Sequence, residues 1–154
     1  MTLIPRGPLL FDTSAYIRFF HHNDWPRLAT RRERFERTIL TAVVAAELYA
    51  GTRSAEEKQA VDELCLAHRS LGNLSSPSAE LWLEAGVLLG RYKRIYGSLR
   101  MADHFRDVLI ALEAAGHHAT LMTENAPDFV RWQRLFRSAG KGLIVFDLRK
   151  WSEK

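Results

Sequence analysis

The sequence holds one cysteine, Cys65, among 154 residues, so no intrachain disulfide can form. None of its cysteine and histidine residues falls into zinc-ligand spacing. No apolar run approaches the length that spans a bilayer. There is no internal repeat, no low-complexity tract and no linker long enough to divide the chain. The apolar part of the opening stretch MTLIPRGPLLFD is too short and too interrupted for a secretory signal. Disulfide scaffolds, zinc modules, membrane spans and repeat arrays are thereby set aside. The expectation is one domain over residues 1–154, working in a reducing cytoplasm with no membrane partner. What is present suits that expectation. Hydrophobic residues at 47% and charged residues at 26% are ordinary for a folded chain, and the length is enough to bury a core unaided.

Charge is the first positive signal. The net charge is +4, and arginines and lysines cluster at Arg27, Arg31, Arg32, Arg34 and Arg37, at Arg91, Lys93 and Arg94, and at Arg131, Arg134 and Arg137. A basic balance favours a polyanionic partner, because neutralising phosphates releases counterions. The same residues also suit the solvent faces of amphipathic helices. Charge alone does not separate the two.

Short apolar, partly β-branched runs recur at Leu9–Phe11, Thr38–Val44, Leu71–Ser75, Ala119–Thr123 and Leu143–Phe146. Near-continuous apolar character, rather than alternation, suits strands covered on both faces. Helical patterns lie between them. Residues 54–69 open on Ser54 and Glu57 at capping-box spacing. Residues 78–94 carry Trp82, Ala85, Leu89 and Tyr92 on one stripe, with Pro77 near the start. Residues 102–115 and 128–138 follow, and Gly116 is placed to stop the former. The predicted fold is α/β: a three-layer domain with a mostly parallel central sheet of about five strands, flanked by helices. In such sheets ligands bind beyond the carboxyl ends of the strands, where strand order reverses.

Acids stand at those ends. Asp12 follows the first strand in LLFDTSAYI, and Glu47 follows the second in ILTAVVAAELYAG, where it is expected in the opening turn of a short helix. Asp103 and Asp107 are four apart in RMADHFRDVLIALEAAG, on one helix face. Asp128 follows the fourth strand in ATLMTENAPDF, three residues after Asn125. Each acid taken singly is explained by capping and the helix macrodipole; Asn125 with Asp128 has the spacing of a capping box. Taken together they are costly, since clustered carboxylates raise one another's pKa unless a cation joins them. Oxygen ligands suit Mg²⁺ or Mn²⁺, and such ions activate water against phosphodiesters. Amide replacements of Asp12 and Glu47 are therefore expected to stabilise the metal-free protein.

The ordered set LLFDTSAYI, TAVVAAELYAG and DVLIALEAAGHHATLMTENAPDF resembles the PIN domain, and within it the VapC-type toxins of bacterial toxin–antitoxin pairs. Those proteins show a strand ending in Asp-Thr-Ser, a Glu-Leu followed by glycine, an Asp with Ile-Ala shortly after, and Thr-x-Asn-x-x-Asp-Phe. Asp-Thr-Ser alone is common; four stretches in order, over roughly residues 8–148, are specific. Carried over by position, Asp12, Glu47 and Asp107 match the family's central acids, with Asp128 or Asn125 completing the metal shell. Asp103 has no counterpart and reads as a helix-start residue. Glu124 stands where the family often has arginine. Thr13, Ser14 and Thr123 offer hydroxyls to orient ligands or to cap, and His104 adjoins the site.

The resemblance implies a Mg²⁺- or Mn²⁺-dependent endoribonuclease that cuts RNA by attack of a metal-activated water. It also implies a VapB-type antitoxin partner and a homodimer or toxin–antitoxin hetero-oligomer. Phe20, Trp25 and the arginines of residues 19–37 offer RNA contacts, or equally a helical hairpin that closes the core. The alternative reading is a catalytically silent PIN-fold module that binds RNA or protein. A haloacid-dehalogenase phosphatase is excluded by Ser14, where a second Asp is needed. A flap-type DNA nuclease lacks support because its long insertions are missing.

Overall fold

The computed structural model describes residues 4–22, 32–98 and 100–151. Trp25, Arg27 and Arg31 lie outside them. The five strands are β1 (Leu9–Phe11), β2 (Thr38–Thr41), β3 (Leu74–Ser75), β4 (Thr120–Thr123) and β5 (Ile144–Asp147). They form one sheet in the order β3-β2-β1-β4-β5, with every pairing parallel. The described helices are α1 (Thr13–His22), α2 (Arg32–Glu36), α3 (Ala42–Ala50), α4 (Ala55–Ser70), α5 (Ala79–Tyr96), α6 (Met101–Gly116) and α7 (Val130–Ser138). None of them is long and apolar enough to cross a membrane.

The central position of β1 explains its composition. All three residues of Leu9–Phe11 are buried, as are all four of β4, because helices cover both faces of a parallel sheet. The core continues through Leu40, Leu109, Leu112, Leu121, Trp132 and Phe136. Truncating one such buried leucine to alanine costs roughly 2–5 kcal/mol. Aromatic packing ties α1 to the sheet: Phe11, Tyr16 and Phe19 meet edge to face at centroid separations of 5.6–6.0 Å.

Several expected boundaries shift for identifiable reasons. The second strand stops at Thr41 rather than Val44, because the Thr41 hydroxyl accepts the Val43 N–H at 3.2 Å and opens α3 at Ala42. β3 is shorter than the run Leu71–Ser75, since Leu71 closes α4 and Gly72 turns the chain at φ 72°. Helix α6 runs through Gly116, and the left-handed turn that ends it falls on His118 at φ 52°. Ser54 caps α4 as its spacing predicts, accepting the Glu57 N–H at 3.1 Å. Trp82 does not join Ala85 and Leu89 in the core. It is 50% exposed, on a stripe edge that also shows Leu83 and Val87 to solvent.

The strand order reverses beside β1: β2 and β3 extend to one side, β4 and β5 to the other. The carboxyl ends of β1 and β4 therefore frame the crevice that the topology offers a ligand.

Candidate active site

Asp12, one residue beyond β1, is buried, and every one of its hydrogen bonds holds it in place. Its Oδ1 accepts the Ser14 hydroxyl at 2.6 Å and the Ala15 N–H at 3.1 Å. Its Oδ2 accepts the Thr123 hydroxyl at 2.5 Å. The capping explanation is thus correct as far as it goes: Asp12 caps α1, which opens at Thr13. The two hydroxyls extend the network to the neighbouring loop. Ser14 Oγ accepts the Glu124 N–H at 3.3 Å, and Thr123 Oγ1 accepts the Asn125 N–H at 2.9 Å. This ladder stitches the end of β1 to the end of β4. Burial pushes the Asp12 carboxyl upward, while the Ser14, Thr123 and Ala15 hydrogen bonds oppose the shift and the Glu124 charge adds to it.

Glu47 is the sixth residue of α3, not in its opening turn as expected. It has therefore left the positions where the helix dipole favours an acid. Its Oε2 lies 3.5 Å from Arg106 Nη1, and its Oε1 is buried without a hydrogen-bond partner among the described residues. Burial raises its pKa, Arg106 pulls it down, and Asp12 pushes it up again. The Thr13 hydroxyl lies near enough to favour the charged form, yet Thr13 Oγ1 completes no hydrogen bond to a described residue.

Asp107, on the second turn of α6, links the acids electrostatically. Its carboxyl is pushed up to about 6, first by burial and then by the charges of Asp12, Glu47 and Asp128, with Arg106 opposing. Asp107 thus feels the charges of Asp12, Glu47 and Asp128, and the four acids come one from each of the four strand-to-strand connections. Asp128 lies in the 3-10 turn Ala126–Phe129 and is exposed. The expected capping box does not form, because Asn125 makes no side-chain cap bond; Asn125 is exposed beside it. Asp103 sits in the first turn of α6, exposed, as a helix-start residue does. Among the described residues no three His, Cys, Asp or Glu side chains stand close enough to share one ion as they are placed.

Two features escape sequence reading. Arg106 adjoins Asp107 in the chain, and adjacency on a helix carries no promise of a shared face; only the fold brings it to Glu47. Glu124 is charge-paired from elsewhere: Arg18 Nη1 donates to its Oε1 at 2.6 Å. The arginines around α2 are largely tied to the fold. Arg32 pairs with Glu36 at 2.6 Å, and Arg37 donates to the carbonyls of Pro5 and Gly7 at 2.8 and 2.5 Å.

No family model matches the chain in sequence, and no curated protein does. Solved structures match it in fold. The structure of VapBC-1 from nontypeable Haemophilus influenzae is similar at a TM-score of 0.64 and 21% identity, over 92% of this chain and 98% of that one. That of VapBC2 from Rickettsia felis, bound to a DNA fragment from its promoter, gives 0.59 and 19%, over 90% and 96%. The chain has the PIN-domain fold of the VapC structures, as its ordered motifs predict.

Proposed function

We propose that the chain is a Mg²⁺- or Mn²⁺-dependent endoribonuclease, acting in the cytoplasm as the toxin of a toxin–antitoxin pair. One observation carries this reading: a half-buried Asp107 carboxyl raised to about 6 by desolvation together with three other acids. Folding such a cluster is unfavourable unless a cation is to be held there. The donor set fits a hard divalent ion, since all the donors are oxygens and Glu47 Oε1 is buried with no partner among the described residues.

Asp12, Glu47 and Asp107 would hold the ion, and Asp128 or Asn125 would complete or steer its shell. When bound, the ion would lower the pKa of water and offset charge developing on the phosphodiester. The chain's own residues set the stage for that. Ser14, Ala15 and Thr123 fix the Asp12 carboxylate in one orientation. Asp107, near 6, is mostly ionised at neutral pH. Arg106 favours the charged form of Glu47, against the burial that disfavours it. A VapB-type antitoxin as partner is supported by the VapBC complexes that share the fold.

The test is to incubate the chain, purified free of any partner, with structured and single-stranded RNA in Mg²⁺, Mn²⁺ or EDTA. Cleavage is expected with either metal and none with EDTA. Asp107→Asn should lose activity about a hundredfold or more while remaining folded. The second reading, a silent module, is favoured by the acids' failure to form a ready ligand group as they are placed. RNA binding without cleavage under any metal would establish it instead.

A further inference from the structure

A cavity of about 530 Å³ opens beside the acids, lined among others by Tyr92, His104, Asp107, Asp128, Arg131 and Arg134. Its two arginines are three residues apart on α7, hence on one face. Neither forms an ion pair with a described residue, although two carboxylates line the same cavity. Arg131 is held elsewhere. Its guanidinium carbon lies 4.6 Å from the Tyr96 ring centroid and 6.0 Å from that of Tyr92. Its Nη1 donates to the Tyr92 hydroxyl at 3.2 Å. Tyr92 is itself anchored, 4.7 Å from the ring of Trp132, which is buried.

We propose that this cavity binds a phosphate of single-stranded RNA next to the bond being cut. Arg131 and Arg134 would serve as its ligands, and Tyr92 and Tyr96 as positioning residues. The inference rests on the nuclease reading above and specifies where its substrate lies.

The physical case is one of competition. A mobile arginine beside Asp107 and Asp128 would fold onto them, cancelling charge needed by a cation and losing its own donors. Stacking on Tyr96 and the bond to Tyr92 keep the guanidinium away from the acids. A stacked guanidinium still presents edge N–H groups, the fork that matches phosphate oxygens. Cation and anion sites thus stand side by side without neutralising each other, as a phosphodiester bridging them requires.

The experiment measures binding of a labelled single-stranded RNA to the full chain in EDTA, across a salt series, and cleavage kinetics in Mg²⁺. Arg131→Ala is expected to weaken binding about tenfold and to reduce the salt slope by roughly 0.7 for one lost phosphate contact. It should raise KM while leaving kcat within about twofold. Tyr96→Leu should raise KM in the same way without a matching loss of melting temperature, and Tyr96→Phe, which keeps the ring, should restore it. A wild type that cleaves RNA, with Arg131→Ala and Arg134→Ala both unchanged in affinity, salt slope and KM, overturns this proposal alone. A wild type that neither binds nor cleaves RNA overturns the nuclease reading and this proposal with it.

Discussion

Arg106 Nη1 stands 3.5 Å from Glu47 Oε2, and among the described residues no other salt bridge reaches Asp12, Glu47, Asp107 or Asp128. That cation, on a side chain 52% exposed, offsets part of the repulsion at Glu47 and Asp107. A pair this open contributes under about 1 kcal/mol. Arg106→Gln should accordingly lower the metal-free melting temperature by only a few degrees. It should also enlarge the rise in melting temperature on adding Mg²⁺, because a competing positive charge has gone. Thermal melts in EDTA and in Mg²⁺ read both; an unchanged metal response would separate Arg106 from the ion.

The acids differ in what they do for the fold, so their amide variants should diverge. Asp107 carries unfavourable charge with no hydrogen bond from a described residue to hold it, and Asp107→Asn should stabilise the metal-free protein by about 1 kcal/mol at neutral pH. Asp12 accepts three hydrogen bonds from Ser14, Ala15 and Thr123. An amide there presents one oxygen and one N–H₂ group, so the Thr123 hydroxyl loses its acceptor. Asp12→Asn should lower stability by about 1 kcal/mol, against the expectation from repulsion alone. Denaturant unfolding in EDTA compares the two.

Asp107 also sets a pH signature. Its folded pKa of about 6 exceeds the ordinary value of 3.8, so between those values the folded state binds more protons than the unfolded one. Stability from this group is full below about pH 4 and is lost as pH rises through about 6. Metal-free protein should therefore weaken across that interval, and the Asp107→Asn variant should lack this component. Saturating Mg²⁺ should flatten the loss, since a bound cation replaces the proton. Unfolding free energies between pH 4.5 and 8 test the sign.

Much of this was legible in the sequence because local signals agreed with the fold. The apolar run of β1 and the acid at its tip announce a covered parallel strand with a polar end, and Ser54 announces the start of α4. Glu47 was placed a turn too early, because the run TAVV reads equally as strand. What could not be read is what arises between distant segments. The Thr123 hydroxyl reaches Asp12 across 111 residues, Arg18 reaches Glu124 across 106, and Arg131 rests on tyrosines of another helix. No periodicity encodes such pairings.

The end of α6 offers a last test, one independent of the acids. The sequence places Gly116 as the stop of this helix, yet it lies within the helix while His118, exposed, takes φ 52°. A side chain at that φ carries strain of about 1 kcal/mol that glycine avoids. A glycine inside a helix costs about 0.5–1 kcal/mol relative to alanine, and a Cβ added at Gly116 meets nothing within 4 Å. Gly116→Ala and His118→Gly should each raise the melting temperature by a few degrees. Their effects should nearly add, because the two act on different backbone conformations. The opposite result for Gly116→Ala would mean that Gly116, not His118, provides the left-handed turn in solution. RNA cleavage should be untouched in both variants, since neither residue lies among the acids or lines the arginine cavity.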